Sequence, residues 1–304
     1  MSTAQDTIVA VIGLGVMGAP MARNLLRSGF DVVGVNRSPG KVEALRQDGG
    51  RGAGSVAEAA EEADVVITVL PDSPDVEDVA LGQAGILANA RRGCLWVDCS
   101  TIRPDVAVRL SDAAREAGVH ALDAPVSGGE RGAVEGTLSV MVGGEADVVA
   151  TARPVLEAMG RTIVHVGPAG AGQTVKAANQ LVVAGHLQLL AEALVFLEAH
   201  GVDPAAALDV LAGGLAGSKV LEQKRENMLT RSFEPGFRLD LHHKDMGIVT
   251  AAAREAGVVV PLGALSAQLV AAARAQGDGA LDHSALLRGV LRLSGRDVGE
   301  PGPR

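Results

Sequence analysis

At 304 residues the chain is too long for one ordinary core, so two domains are expected. Hydrophobic residues make up 47%, but aromatics are scarce at four Phe, one Trp and no Tyr, so the cores must be built from Ala, Val, Leu and Ile. A formal net charge of −9 without a dense Lys/Arg stripe argues against nucleic acid and anionic membrane as partners, and leaves a small anionic substrate open.

The N-terminus, MSTAQDTIVAVIGLG, has no basic leader region and no cleavable apolar segment. No uninterrupted apolar run reaches bilayer length, so a cytoplasmic protein is the expectation. From Thr7 to about Gly167, short Val/Ile-rich runs alternate with helical patterns. The runs are 8–12, 32–35, 65–70, 95–97, 119–122, 138–142 and 163–166, apolar on both faces as buried parallel strands are. Helices are predicted at 17–27, 41–47, 104–117 and 146–159. This alternation predicts a doubly wound α/β domain.

After Gly167 the strand signal stops. The proline-free, Ala/Leu-rich stretch 173–200 predicts a helix of about 40 Å, long enough to link two domains. Helical patterns follow at 204–211, 219–228, 239–256, 261–276 and 283–293, and the tail 294–304 is expected to fray. The expected domains are 1–168, α/β, and 169–304, all-α.

Three local patterns carry chemistry. The first strand runs into Gly13-Leu14-Gly15-Val16-Met17-Gly18, which opens a helix. Such glycines permit a tight turn and close approach of a pyrophosphate, and the helix N-terminus offers N–H groups to the anion. Ser127-Gly128-Gly129 follows the strand 119–122 at its carboxyl end, where open α/β sheets bind ligands. A hydroxyl and two backbone N–H groups suit a small carboxylate; an ordinary glycine-rich loop is the equal alternative. Lys176 sits near the start of the long helix, with Asn179 and Gln180 on the same face. It reads either as a general acid–base or as a solvated lysine.

The second strand ends in Asn36-Arg37-Ser38, without the acid that an NAD site places there for the ribose 2′-hydroxyl. Arg37 suits a 2′-phosphate, so NADP is the preferred cofactor and NAD a possible one. Cys94 and Cys99 flank a strand and read as buried thiols, not as a disulfide framework. His242 and His243 are adjacent on a helix and point about 100° apart, a poor ligand pair, so no metal is expected.

Together, IGLGVMGAPMARNLL (12–26), VLPDSPDV (69–76), DCSTIRP (98–104), DAPVSGGERGAVEGTLSVMVGG (123–144) and GAGQTVKAANQ (170–180) resemble the β-hydroxyacid dehydrogenase family, from Ile8 to about Arg292. The stretches 213–224, 233–245 and 282–286 look most like its hydroxylated-semialdehyde reductases. The resemblance implies a Rossmann-type domain and an all-helical domain joined by a long helix. It implies an enzyme that interconverts a small 3-hydroxy acid and its semialdehyde with NAD(P), as a homodimer or homotetramer. Carried over, residues 13–18 would hold the pyrophosphate, and Leu70, Pro71 and Thr101 would line the nicotinamide side. Ser127, Gly128 and Gly129 would bind the substrate carboxylate, and Lys176 would be catalytic. Asn179, Gln180, Phe237 and Asp245 would contact substrate, and Lys244 would reach the cofactor. Two other classes share such a fold: a non-catalytic NAD(P)-binding protein, which would tolerate loss of Lys176, and imine reductases, which usually carry another residue there.

Overall fold

The computed structural model describes residues 6–298, so the GEPGPR end of the tail lies outside the described residues. Two compact units divide the chain after Lys176.

The first unit alternates strands and helices in chain order. β1 (Ile8–Ile12), α1 (Gly18–Arg27), β2 (Asp31–Val35), α2 (Pro39–Gln47), β3 (Arg51–Gly52), α3 (Val56–Glu62) and β4 (Val65–Thr68) form its first half. α4 (Ser73–Leu81), α5 (Ile86–Asn89), β5 (Leu95–Asp98), α6 (Pro104–Ala117) and β6 (His120–Asp123) follow. β7 (Val126–Ser127), α7 (Gly129–Glu135), β8 (Leu138–Gly143), α8 (Ala146–Met159) and β9 (Gly160–Gly167) complete it.

The strands make one sheet in the order β3-β2-β1-β4-β5-β6-β8-β7, with β9 beside β8. β1 is buried on both faces, and its side chains divide by the period of two. Val9 and Val11 join one core with Leu25, Val97 and Leu156; Ala10 and Ile12 join the other with Val66, Trp96 and Leu110. The chain winds outward from β1 in both directions, so the loops after β1 and β4 part at the carboxyl edge. That switch point is where a doubly wound sheet binds its ligand.

Two expectations for the strands are corrected. The sheet is mixed, because β8 runs antiparallel to β6 and β7. β9 is an edge strand with exposed positions, not a strand buried on both faces. Apolar runs alone do not reveal direction or an edge.

The second unit is helical. α9 (Ala171–Ala199) enters it from the first unit, and α10 (Pro204–Gly213), α11 (Lys219–Leu229), α12 (Leu239–Glu255), α13 (Pro261–Ala273) and α14 (Leu286–Leu293) follow. Leu187, Leu190, Ala191 and Leu194 of α9 join Leu208, Met228, Leu239 and Leu287 in its main core. The described tail is tied down in part, since Val298 packs on this core. By length and composition α9 could cross a membrane, with a mean hydropathy of 1.6 over its most apolar stretch, although it holds no uninterrupted apolar run of bilayer length. A count of uninterrupted runs misses it because Lys176, Asn179, Gln180 and Gln188 break the run. Its buried leucines make it a core helix of the protein.

Candidate active site

The phosphate loop is shaped by backbone that no side chain could enter. A Cβ at Gly13, whose φ is +101°, would run into Val69 O, and one at Gly18 would run into Gly13 O. Gly15 differs: a Cβ there meets nothing within 4 Å, so the loop faces open space at that residue. Val16 is 59% exposed beside it, and α1 begins with no side-chain cap and no acid in its first turn. Its positive end is therefore available to an anion. Asn36 is part of the loop's frame: Leu14 N–H donates to its Oδ1 at 3.0 Å. Arg37 and Ser38 stand exposed at the start of α2.

The next two strand ends are braced by buried polar contacts. Trp96 Nε1–H donates to Thr68 Oγ1 at 3.0 Å, and Thr68 donates to Asp98 Oδ1 at 2.7 Å. Ser100 N–H donates to Asp98, while Ser100 Oγ accepts from Leu70 N–H at 2.9 Å. Leu70 and Thr101 thus sit on two loops fastened to one another, and Pro71 is exposed next to Leu70. Gln173, from the first turn of α9, reaches the second loop. Its Oε1 accepts from Ile102 N–H at 3.1 Å, and its Nε2 donates to Ser100 O at 2.9 Å.

Lys176 is buried, 7% exposed, and its Nζ donates to Val126 O at 2.8 Å. Val126 immediately precedes Ser127, so the ammonium is held at the stem of the 127–129 loop. Gly128 and Gly129 have φ of +137° and +64°, and both are exposed. A Cβ at Gly129 meets nothing, so the loop is open at that residue. The first unit therefore brings Ser127, Gly128, Gly129 and Lys176 together.

In the helical unit, Asn179 Nδ2 donates to Gln180 Oε1 at 2.8 Å, and Gln180 Nε2 donates to Asp245 Oδ2 at 2.5 Å. Lys244 Nζ pairs with Asp245 Oδ1 at 2.9 Å. Four residues singled out in the sequence form one chain of contacts. Phe237 belongs to another group, its ring 5.2 Å from His283 and 6.0 Å from His242. His242 partners His283, not His243: their Nδ1 atoms lie 3.1 Å apart. Burial, with His242 close by, pushes the His283 imidazole well below its ordinary range. Among the described residues no group of three or more His, Cys, Asp or Glu could hold a metal.

Four residues escaped the sequence reading. Asp98 and Gln173 brace the loops above. Asp282 is fully buried and takes Lys224 Nζ at 2.8 Å and the N–H groups of Gly236 and Phe237 at 3.1 and 3.0 Å. Burial alone would raise its pKa, but the Lys224 ammonium and the hydrogen bonds from Lys224 and Ser284 hold it below the usual carboxylate range. Asp123 accepts from the backbone at the start of α9. The only signal in the sequence was an acid closing an apolar strand, at Asp98 and Asp123. Cys94 and Cys99 are free and buried as expected, and burial pushes both thiols up, Cys94 to about 11. Neither is a nucleophile near neutral pH.

Residues 8–167 match the model of the NAD binding domain of 6-phosphogluconate dehydrogenase. Residues 170–290 match that described as NAD-binding of NADP-dependent 3-hydroxyisobutyrate dehydrogenase. The chain is 39% identical to 2-hydroxy-3-oxopropionate reductase of Escherichia coli over 92% of this chain and 95% of that one. It is 40% identical to 3-hydroxyisobutyrate dehydrogenase of Pseudomonas aeruginosa, over 86% and 91%. The solved structure of Mycobacterium tuberculosis 3-hydroxyisobutyrate dehydrogenase with L-serine is 37% identical, with a TM-score of 0.84 over 92% of this chain and 98% of that one. With both halves matched, and relatives this similar over nearly all their length, the chain belongs to the β-hydroxyacid dehydrogenase family of NAD(P)-dependent oxidoreductases.

Proposed function

We propose that the chain interconverts a short carboxylate semialdehyde and its 3-hydroxy acid, using NADPH in preference to NADH. 2-Hydroxy-3-oxopropionate (tartronate semialdehyde) is the first substrate to test, and the 3-hydroxyisobutyrate pair the second. The observation that carries this reading is the Lys176 ammonium, held 2.8 Å from Val126 O at the stem of the Ser127-Gly128-Gly129 loop.

The residues fit a dinucleotide. The open face of Gly15 and the uncapped start of α1 accept a pyrophosphate. Leu70, Pro71 and Thr101 would border the nicotinamide, which supplies or takes up hydride when bound. We assign the substrate carboxylate to the Ser127 hydroxyl and the N–H groups of Gly128 and Gly129. The Lys176 ammonium stabilises negative charge growing on the carbonyl oxygen and gives it a proton; in oxidation the amine takes that proton back. In the helical unit we assign Asn179, Gln180, Phe237 and Asp245 to substrate and Lys244 to cofactor, on the family resemblance.

Tartronate, methylmalonate and succinate semialdehydes offered with each cofactor, and followed by absorbance, test the reading. Turnover of none of them would sink it. Loss of one donor to a charged group costs about 1.5–3 kcal/mol, so Ser127→Ala should weaken acid substrates far more than neutral aldehydes. Equal effects on both would remove the loop from the substrate site.

The NADPH preference rests on the end of β2. Asn36 is turned to Leu14 N–H, no acid repels a 2′-phosphate there, and Arg37 and Lys41 are exposed with no ion pair among the described residues. Arg37→Ala should raise KM for NADPH much more than for NADH. A preference for NADH of about tenfold or more in kcat/KM, some 1.4 kcal/mol, would contradict the assignment.

We further propose that α9 packs against a second copy of itself. Val175, Val182, Leu189 and Phe196 recur every seventh residue, and all four are exposed, Phe196 at 64%. One apolar stripe suits an isologous helix pair. Leu189→Asp should lower the mass measured by sedimentation, and a wild-type monomer at micromolar concentration would refute the proposal.

A further inference from the structure

Asp123 closes β6, and its side chain is buried under the start of α9. Its Oδ1 accepts from Gly170 N–H at 2.8 Å and its Oδ2 from Gln173 N–H at 2.9 Å. It therefore caps α9 from another strand, at the positive end of the helix. Two glycines make room for it. A Cβ at Gly143 on β8, or at Gly172 on α9, would run into the Asp123 carboxylate. Lys176 follows on the same helix and donates to Val126 O, in the connection that Asp123 itself begins. The segment from Asp123 to Val126 therefore grips α9 twice: through a carboxylate at the helix start, and through the lysine that the helix carries.

We propose that Asp123 is a positioning residue for proton transfer: its carboxylate fixes the first turn of α9 against the 123–129 connection and so fixes Lys176 Nζ beside the substrate loop. The inference rests on the role proposed for Lys176. Asp123 touches neither substrate nor cofactor in it.

The arrangement is not one that stability alone would favour. Burial pushes the Asp123 carboxyl up to about 6, against the two N–H donors that lower it, with Asp98 on β5 also raising it. A carboxyl raised in the fold is stabilising in its neutral form. That contribution is complete below the ordinary carboxylate range and is lost as pH rises through about 6. The charged group that acts on it is Asp98 on β5, while β8 brings Gly143 against the carboxylate. At neutral pH the protein thus keeps a carboxylate charged at a cost in stability, and gains a fixed helix start.

Asp123→Asn separates positioning from folding. The amide keeps the shape but sets an NH2 group against one of the two N–H donors, so the first turn loses its register. A shift of about 1 Å at a reacting group can cost a hundredfold. The expected result is a kcat at least ~10-fold lower, dinucleotide Kd changed by less than about twofold, and a melting temperature that moves by no more than several degrees, with the variant folded at the assay temperature. A kcat within about twofold of wild type would overturn the inference, as would a kcat loss that tracks a collapse in melting temperature. If the variant does not fold, the wild-type pH profile decides. Its kcat for reduction, in which acidification keeps Lys176 protonated, should fall on acidification with a midpoint near 6 while dinucleotide Kd holds, and a flat kcat through that range overturns the inference. Lys176→Ala run in parallel keeps the two ideas apart. Its retention of turnover refutes the lysine's role, whereas a dead lysine variant beside a normal Asp123 variant refutes only the positioning.

Discussion

Lys176→Ala is expected to lower kcat by at least ~100-fold while dinucleotide binding survives. A positioned general acid supplies about 10²–10⁴ in rate, and the buried ammonium adds charge stabilisation. Binding should survive because the loop proposed for the pyrophosphate is framed by Val69, Asn36 and Gly13, not by Lys176. Removing the side chain also leaves Val126 O without this donor, a cost of about 1–3 kcal/mol that will appear in the melting temperature. Lys176→Arg separates the two contributions. A guanidinium can still meet Val126 O and carry charge, but it does not give up a proton near neutral pH. It should restore stability and only a small part of kcat. Near-wild-type turnover in the alanine variant would remove Lys176 from the chemistry and leave a non-catalytic dinucleotide-binding protein as the better reading.

The fold was legible where elements were long and punctuated. α6 begins at Pro104 and stops at Gly118, whose φ of +77° ends a helix at little cost, and its range matches the expectation. α8 and β1 match as well. The short elements α3, α4, α5, α7, β3 and β7 were not read, because, unlike the equally short β1 and β4, they carry no unbroken Val/Ile-rich run. Capping signals were present all the same. Ser55 accepts from Glu58 N–H at the start of α3, and Asp72 accepts from Ser73 N–H at the start of α4. The site divides along the same line. Gly13 to Gly18 are contiguous and carry their geometry in the sequence. Asp123 with Gly170, Gln173 with Ser100, and Asp282 with Lys224 are pairings between distant segments, which nothing in a single chain's sequence announces. His242 illustrates the point, since the neighbour that matters is His283 rather than His243.

The second and third glycines of the phosphate loop should separate binding from folding. At Gly15 an added Cβ meets nothing, so Gly15→Val should fold with a wild-type melting temperature. The valine would occupy the space the pyrophosphate needs and hold it away from the N–H groups at the start of α1. The expected result is a dinucleotide Kd at least ~100-fold weaker, about 2.8 kcal/mol, with the melting curve unmoved. Gly18→Ala adds a smaller group at a worse place. Its Cβ would run into Gly13 O, a backbone atom that cannot rotate away, and would abut the Val69 side chain. Overpacking of this kind costs about 1–3 kcal/mol, which lowers the melting temperature by several degrees, at roughly 2–4 °C per kcal/mol in a chain of this size. The larger substitution should thus be the silent one for stability and the smaller one the damaging one. That ordering reverses what side-chain volume alone predicts. Fluorescence titration and thermal melting of both variants check it. A Gly15→Val protein that binds as wild type would show that the open face of the loop is not where the pyrophosphate lies, and an unchanged melting temperature for Gly18→Ala would show that the loop yields where its backbone looks fixed.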